Sequence, residues 1–324
     1  MDRAHDANKH EVYILAGEYF PLQQAGVYHG IIFDDYVCDI KEAMQSDAFL
    51  GVGCASYRQM REIKANGGKV ATSWWNTHYK NAQKILNEEY PKYGLQAPQI
   101  DPLLIARADK EQPLSDVIIA PSEQCAETYR QQGLKNVKVV NFGVDSNLYK
   151  PSDNAVTDLS FSVLFGSGNW VRKGLPYLLL AWNKLHFNDG MLTVLGTELR
   201  QAVYRTKVLG WVADAMVPKV FSKSKIFCFP TLEEGQALVT LQAMASGMPL
   251  ITTRESGAPI EDGKEGLIIP TRDPDAIAKA LTYYHDNPSE IKRMGANARQ
   301  KAEQMPWSKF GDGVIDVLEE VARK

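Results

Sequence analysis

Apolar strand-like runs alternate with helix-like stretches along nearly the whole of this chain, and that alternation restricts its fold more than any other feature. In the first half the runs are EVYILAG (11–17), GIIFDDYV (30–37), AFLGVGC (48–54), KVATSW (69–74), DVIIAP (116–121) and VKVVNFGV (137–144). Between them lie DIKEAMQS, SYRQMREIKANGG and THYKNAQKILNEEYPKYG, the last with apolar residues at i, i+3 and i+4. The second half repeats the style. SFSVLFGSG, LTVLG, KVLGWV, KIFCFP, PLITT and GLIIP read as strands, and LPYLLLAWNKL, ALVTLQAMAS and DAIAKALTYYHD as helices. Strands separated by helices predict α/β architecture with parallel sheets covered by helices. A length of 324 residues predicts about two such domains, and the polar DSNLYKPSDNAVTD (145–158) is the candidate join. MPWSKFGDGVIDVLEEVARK reads as a lone amphipathic helix after the second sheet. Two open α/β sheets facing a cleft bind ligands beyond the carboxyl ends of their strands, so the turns after strands are where chemistry is expected.

Charge and composition remove several classes of partner. A net charge of −3 gives no broad cationic field, which argues against nucleic acid. The longest apolar runs fall far short of the ~20 residues a membrane span needs. MDRAHDANKHE has no apolar core of the kind a secretion signal requires, which predicts a cytoplasmic protein. Cys38, Cys54, Cys125 and Cys228 show no CxxC spacing and read as reduced thiols. His5 and His10 have no partner ligands nearby, and His29, His186 and His285 form no pattern, so no metal site is expected.

Two turns carry the chemistry. In FGSGNWVRKGLPYLLLAW (165–182), Gly166, Ser167 and Gly168 follow a strand, and Pro176 suits a first helical turn. Lys173 stands just before that turn, so its ammonium and the free N–H groups of the helix start would cradle negative charge. The spacing is not a Walker loop, and glycine-rich turns of this kind also occur as plain structure. In FPTLEEGQALVTLQAMASGMPLITT (229–253), Glu234 precedes a helix and Gln242 lies about 12 Å further along it. With the amides of Gln236, Ala237 and Leu238 between them, they would suit an elongated anionic ligand with hydroxyls at both ends. The alternative is that Glu233 and Glu234 merely favour the helix start and that Gln242 is solvated.

Together these turns resemble the retaining glycosyltransferases of family 4, which have the GT-B fold. The likeness runs from about residue 116 to the end. It is carried by DVIIAPSEQCAETYRQQGLKNVKVVNFGVDSNLYKP, VRKGLPYLLLAW, LEEGQALVTLQAMASGMPLITTRESGAP and EDGKEGLIIPTRDPDAIAKAL, in that order. The resemblance implies an acceptor-side domain over 1–148, a nucleotide-sugar domain over 149–305 and a final helix, 306–324, returning to the first domain. It implies metal-independent transfer of a sugar from a nucleoside diphosphate, UDP or GDP, to a hydroxyl of a glycan, glycolipid or small molecule. Residue by residue, Glu234 matches a glutamate near the donor sugar and Lys173 the lysine that binds the diphosphate. Gly235 and Gln236–Leu238 match the phosphate-side loop, and Gly210, Trp211 and Val212 lie where the backbone meets the base. Because acceptors in the family are lipid-linked or soluble, peripheral membrane contact stays open.

Three positions depart from that pattern. Gln242 replaces the second glutamate of an E-x7-E motif, keeping an acceptor oxygen but losing charge-assisted strength. Gly168 falls where a second phosphate-binding arginine is usual, a role Arg172 could take. Ala237 replaces a glycine. These departures leave a second function open, a nucleotide-sugar-binding protein without turnover. The opening residues match either the family's second strand or its glycine loop, and in both cases the first domain is shorter than usual. TSWWNTHYKNAQKILNEEYPKYG resembles a segment of one branch of the family, making His78 the candidate acceptor-side group. Trp74 and Trp75 would be either a sugar-stacking wall or core.

Overall fold

The computed structural model describes residues 45–151, 161–199 and 202–323. The expected strands at 11–17 and 30–37, nearly all of the DIKEAMQS helix and the second half of the candidate join lie outside them. The chain divides into two compact units. Of the described residues, one comprises those up to Gln83, Pro98–Val140 and those from Gly311; the other comprises Lys84–Ala97 and those within Asn141–Phe310.

The first unit holds a parallel sheet of β1 (Ala48–Val52), β2 (Lys69–Ser73), β3 (Val117–Ala120) and β4 (Val137–Val139), in that order. α1 (Tyr57–Ala65), α3 (Pro102–Glu111) and α4 (Glu123–Arg130) alternate with the strands, and α2 (Tyr79–Glu89) starts in this unit and runs on into the second unit's Lys84–Ala97 segment. Two of the starts have a local cause. Asp101 accepts from the Leu103 amide with Pro102 at the first position, and Ser122 accepts from that of Cys125. Trp74, Ile118, Ala126 and Tyr129 build the core on this sheet. The α2 helix stops earlier than its apolar pattern predicts. Pro91 supplies no N–H to continue it, so Tyr90–Tyr93 tightens into a 3-10 turn closed by Gly94 at φ +67°. β4 is also shorter than expected. Beyond Val139 the chain leaves the sheet, and the Val144 amide donates to Met305 O.

The second unit holds six parallel strands: β5 (Phe161–Gly166), β6 (Gly190–Leu195), β7 (Thr206–Gly210), β8 (Ile226–Phe229), β9 (Leu250–Thr252) and β10 (Gly266–Ile268). Their order is β10-β9-β8-β5-β6-β7. The helices are α5 (Leu175–Leu185), α6 (Val217–Phe221), α7 (Leu238–Ala245), α8 (Pro274–Asp286), α9 (Pro288–Glu303) and α10 (Trp307–Ala322). α5 matches the sequence reading residue for residue. α3, α4, α6 and α9 lie outside the helices that the sequence pattern predicts. The core is continuous, with Phe165, Phe227, Phe229, Leu178, Leu241 and Met244 fully buried. α10 ends in the first unit, where Lys138 pairs with Glu320 at 3.0 Å.

The strand order locates the site. The chain runs outward from β5 through β6 to β7, then returns to the other side of β5 for β8. β5 and β8, joined by the register Val163↔Ile226, therefore flank the switch point where such sheets bind ligands. No described helix is long and apolar enough to cross a membrane.

Candidate functional site

Two turns leave the carboxyl ends of β5 and β8, and their backbones are tied together. The Leu232 amide donates to Arg172 O at 2.9 Å, and Thr231 Oγ1 donates to the same oxygen at 3.3 Å. Gly174 allows this closeness. It sits at φ +75°, and a Cβ there would overlap the Pro230 carbonyl oxygen. Only glycine meets both conditions without strain. From the next strand, Thr253 Oγ1 donates to Thr231 O at 2.6 Å. The first turn is folded on Asn169, whose Oδ1 accepts from the Arg172 amide at 3.2 Å and whose carbonyl accepts from that of Lys173 at 3.1 Å.

This framework brings four charges into contact. Arg172 NH1 lies 2.7 Å from Glu233 Oε2, 2.9 Å from the Glu233 carbonyl and 3.1 Å from Glu234 Oε1. Lys173 Nζ pairs with Glu234 Oε1 and stands 5.7 Å from the centre of the Phe229 ring. The side chains are 20% (Arg172), 12% (Lys173), 3% (Glu233) and 11% (Glu234) exposed, so the group is largely removed from water. Burying charge is unfavourable unless it is paired, and here two cations match two carboxylates. Burial, and then the neighbouring guanidinium of Arg172, pull the Lys173 ammonium well below the ordinary lysine pKa, while Glu233 opposes them.

The helix-start amides differ from expectation at one position. The Ala237 N–H donates to Ser256 O at 2.9 Å, so it is consumed within the fold and does not face a ligand. Leu238 opens α7, where a helix leaves its first N–H groups without intrahelical partners. Gln236 is a clamp through its side chain: Oε1 accepts from the Phe142 amide at 2.6 Å and Nε2 donates to Gly257 O at 3.3 Å. Gly235 precedes it in the same buried turn. Gln242 is half-buried on α7.

At the carboxyl ends of β5, β6 and β7 a second rim forms. Gly166 closes β5, and the Ser167 amide donates to Leu195 O at 2.9 Å. Gly210 ends β7 at φ +59°, and its carbonyl accepts from Gly196 N at 2.7 Å. Trp211 is 80% exposed, and a Cβ on Gly168 would lie 2.9 Å from its ring. Val212 is half-buried against the core.

His78, the expected acceptor-side group, belongs to the first unit. The ring is 2% exposed in the first unit. Nδ1 accepts from the Lys80 amide at 3.2 Å, which leaves Nε2 as the donor to Gln112 Oε1 at 3.1 Å. Burial lowers its pKa below the ordinary histidine value, against the Gln112 hydrogen bond. The two tryptophans divide: Trp74 is core, while Trp75 is 49% exposed with its indole N–H on Ser73 Oγ. Asn169, Thr231 and the ion-pairing of Glu233 were not read from the sequence. The signal available was the matching pair of doublets, Arg172–Lys173 and Glu233–Glu234, each in a turn after a strand.

These two parallel-sheet, Rossmann-like units place the chain in the GT-B fold class. Residues 161–287 match the family Glycosyl transferases group 1. The chain is 24% identical over 267 residues to MMP alpha-(1->4)-mannosyltransferase of Mycolicibacterium hassiacum, covering 77% of this chain and 61% of that protein. It is 32% identical over 107 residues to D-inositol 3-phosphate glycosyltransferase of Corynebacterium kroppenstedtii, covering 32% of this chain and 24% of that one. Among solved structures it resembles Anabaena HepE in complex with UDP, at a TM-score of 0.67 and 16% identity over 88% of this chain and 81% of that one. Sucrose-phosphate synthase from Thermosynechococcus elongatus matches with a TM-score of 0.66 and 16% identity over 93% of this chain and 80% of that one.

Proposed function

We propose that this protein is a retaining glycosyltransferase that moves a sugar from a nucleoside diphosphate to an acceptor hydroxyl of a glycan, glycolipid or small molecule. The observation that carries the reading is the buried group of Arg172, Lys173, Glu233 and Glu234 at the β5/β8 switch point. Two cations fixed beside a helix start suit a diphosphate, and a carboxylate among them suits sugar hydroxyls. The relatives support the same chemistry. HepE has been solved with UDP and with UDP-glucose, and the curated relatives named above are sugar transferases. UDP is thus the first donor nucleotide to test, and GDP the second.

In this mechanism the bond from the anomeric carbon to the diphosphate oxygen breaks first. Negative charge grows on the departing phosphate while the sugar becomes oxocarbenium-like. Lys173 and Arg172 meet that charge together with the amides of Gln236 and Leu238, and a preorganised donor of this kind is worth ~3–4 kcal/mol by analogy with oxyanion holes. With both cations supplied by the protein, the reading requires no divalent metal. The departing phosphate takes the acceptor's proton, and the acceptor oxygen bonds to the same face, giving retention. Glu234 orients the donor sugar, Gln242 the ribose, and the Gly166–Gly168 and Gly210–Val212 turns the diphosphate and base. Lys173→Ala is expected to lower transfer from UDP- or GDP-sugars at least ~100-fold. Near-normal transfer by that variant would remove the role assigned to Lys173.

A second reading is a nucleotide-sugar-binding protein without turnover. The observation favouring it is Gly168, whose missing Cβ faces the Trp211 ring, leaving one fewer cation at the phosphate rim. A nucleotide-induced thermal shift with neither hydrolysis nor transfer decides for this reading.

A further inference from the structure

The EEYPKYG stretch, residues 88–94, lies in the first half of the sequence yet belongs to the second unit, within Lys84–Ala97. Ile85 packs on that unit's core. Glu89 is fully buried, and its carboxylate accepts from Tyr177 OH at 2.8 Å, Lys92 Nζ at 2.7 Å and the Arg272 guanidinium. Arg272 also pairs with Glu88 at 2.9 Å and holds a left-handed backbone at φ +60°. A buried carboxylate and a non-glycine residue at positive φ are both unfavourable on their own. Their meeting at one point marks a dedicated attachment.

What the segment attaches to is the turn that bears Arg172 and Lys173. Tyr90 OH donates to Asn169 Oδ1 at 3.2 Å, the atom that also accepts from the Arg172 amide. The Tyr93 ring meets Trp170 edge-on at 5.6 Å. Tyr177, the third partner of Glu89, stands in the first turn of α5 directly after Gly174. The segment therefore grips the turn at both ends.

We propose that residues 84–97 are a clamp that fixes the β5–α5 turn, with Tyr90 and Asn169 as positioning residues for the cations Arg172 and Lys173. The inference deepens the donor-site reading and rests on it for the ligand. Glu89 anchors the clamp through Arg272 and Tyr177, and Tyr90 transmits its position to Asn169. Without the Tyr90 bond, the Asn169 carboxamide is free to turn, and the amide it holds beside Arg172 loses its fixed acceptor.

The test is Tyr90→Phe in the full chain, with Tyr283→Phe as control. The Tyr283 hydroxyl bonds Glu290 at 2.9 Å in a sequence segment that shares no residue with the clamp or the turn. UDP affinity is measured by calorimetry, and amide hydrogen exchange is followed over 167–174. Loss of one hydrogen bond predicts about 2- to 10-fold weaker UDP binding and a comparable rise in exchange confined to that turn. The control should change neither. Glu89→Gln should give the same local signature, with a lowered melting temperature besides. Wild-type exchange and affinity in Tyr90→Phe overturn the clamp. A wild-type protein that binds neither UDP nor GDP instead overturns the donor-site reading, while the exchange measurement still decides the clamp.

Discussion

Replacing Glu234 by Gln removes one negative charge from a group in which two cations and two carboxylates now cancel. Arg172 NH1 stands 3.1 Å from Glu234 Oε1. At an effective dielectric of ~20, a unit pair at that distance attracts by about 5 kcal/mol before solvation is counted. A diphosphate bound as proposed would have to loosen this contact, and Lys173's pairing with Glu234, to reach the same cations. Gln keeps a neutral hydrogen bond, so the part released is nearer the ~1.5–3 kcal/mol net value of a bond to a charged group. Glu234→Gln is therefore expected to bind free UDP roughly 10- to 100-fold more tightly than the wild type. It should also transfer sugar more slowly, because the proposed sugar contact has lost its charge. The ligand-free variant carries a buried excess positive charge and should melt earlier, so its UDP-induced stabilisation should be larger at both ends. Calorimetric titration with UDP reads the tighter binding, a transfer assay the slower turnover, and thermal melts with and without UDP the earlier melt and the larger stabilisation. Equal or weaker UDP binding by Glu234→Gln refutes the idea that the carboxylates and the diphosphate compete for Arg172 and Lys173.

Two further predictions concern backbone strain at Gly174 and the titration of His285. Gly174→Ala forces a side chain into left-handed backbone, costing about 1–2 kcal/mol, and against the Pro230 carbonyl, adding about 1–3 kcal/mol; urea melts should show the loss. Gly133→Ala, at φ +86° with nothing within 4 Å of its Cβ, should lose only the backbone part. His285 stacks on Phe187 between Asp189 and Asp286; burial lowers its pKa, but the two aspartates outweigh burial and raise it above 6.5. A raised folded-state pKa means the protonated form adds stability that is complete below the unfolded value and is lost as pH rises through the folded one. Melts from pH 5 to 9 should show that decline in the wild type and a flatter profile in His285→Asn.

What the sequence made legible follows from the range of each interaction. Parallel strands buried on both faces leave continuous apolar runs, so Phe161–Gly166 and Ile226–Phe229 could be read directly. α9 was missed because its buried stripe is mostly small: Met294, Ala298 and Ala302 at four-residue spacing in an otherwise polar stretch. Lys173 and Glu234 could each be named, because a cation before a helix and a carboxylate at a helix start leave local traces. Their ion pair could not, since it spans sixty residues of sequence and depends on how β5 and β8 align. The Ala237 amide was misassigned for a related reason: its acceptor is a backbone carbonyl in the turn after β9, and a carbonyl has no residue identity to read. The burial of His78 is illegible in the sequence because a polar ring at a helix start reads as accessible, and only the fold supplies Gln112 and the Lys80 amide to satisfy it in the interior. Gly174 ties these cases together. Its glycine was visible, but its necessity comes from Pro230, a residue of the other turn. Two motifs that are each ambiguous in the sequence become one charged site because that glycine lets their backbones touch. The resulting nearly dry set of two cations and two carboxylates is paired without ligand, and a diphosphate bound as proposed would have to displace part of that pairing.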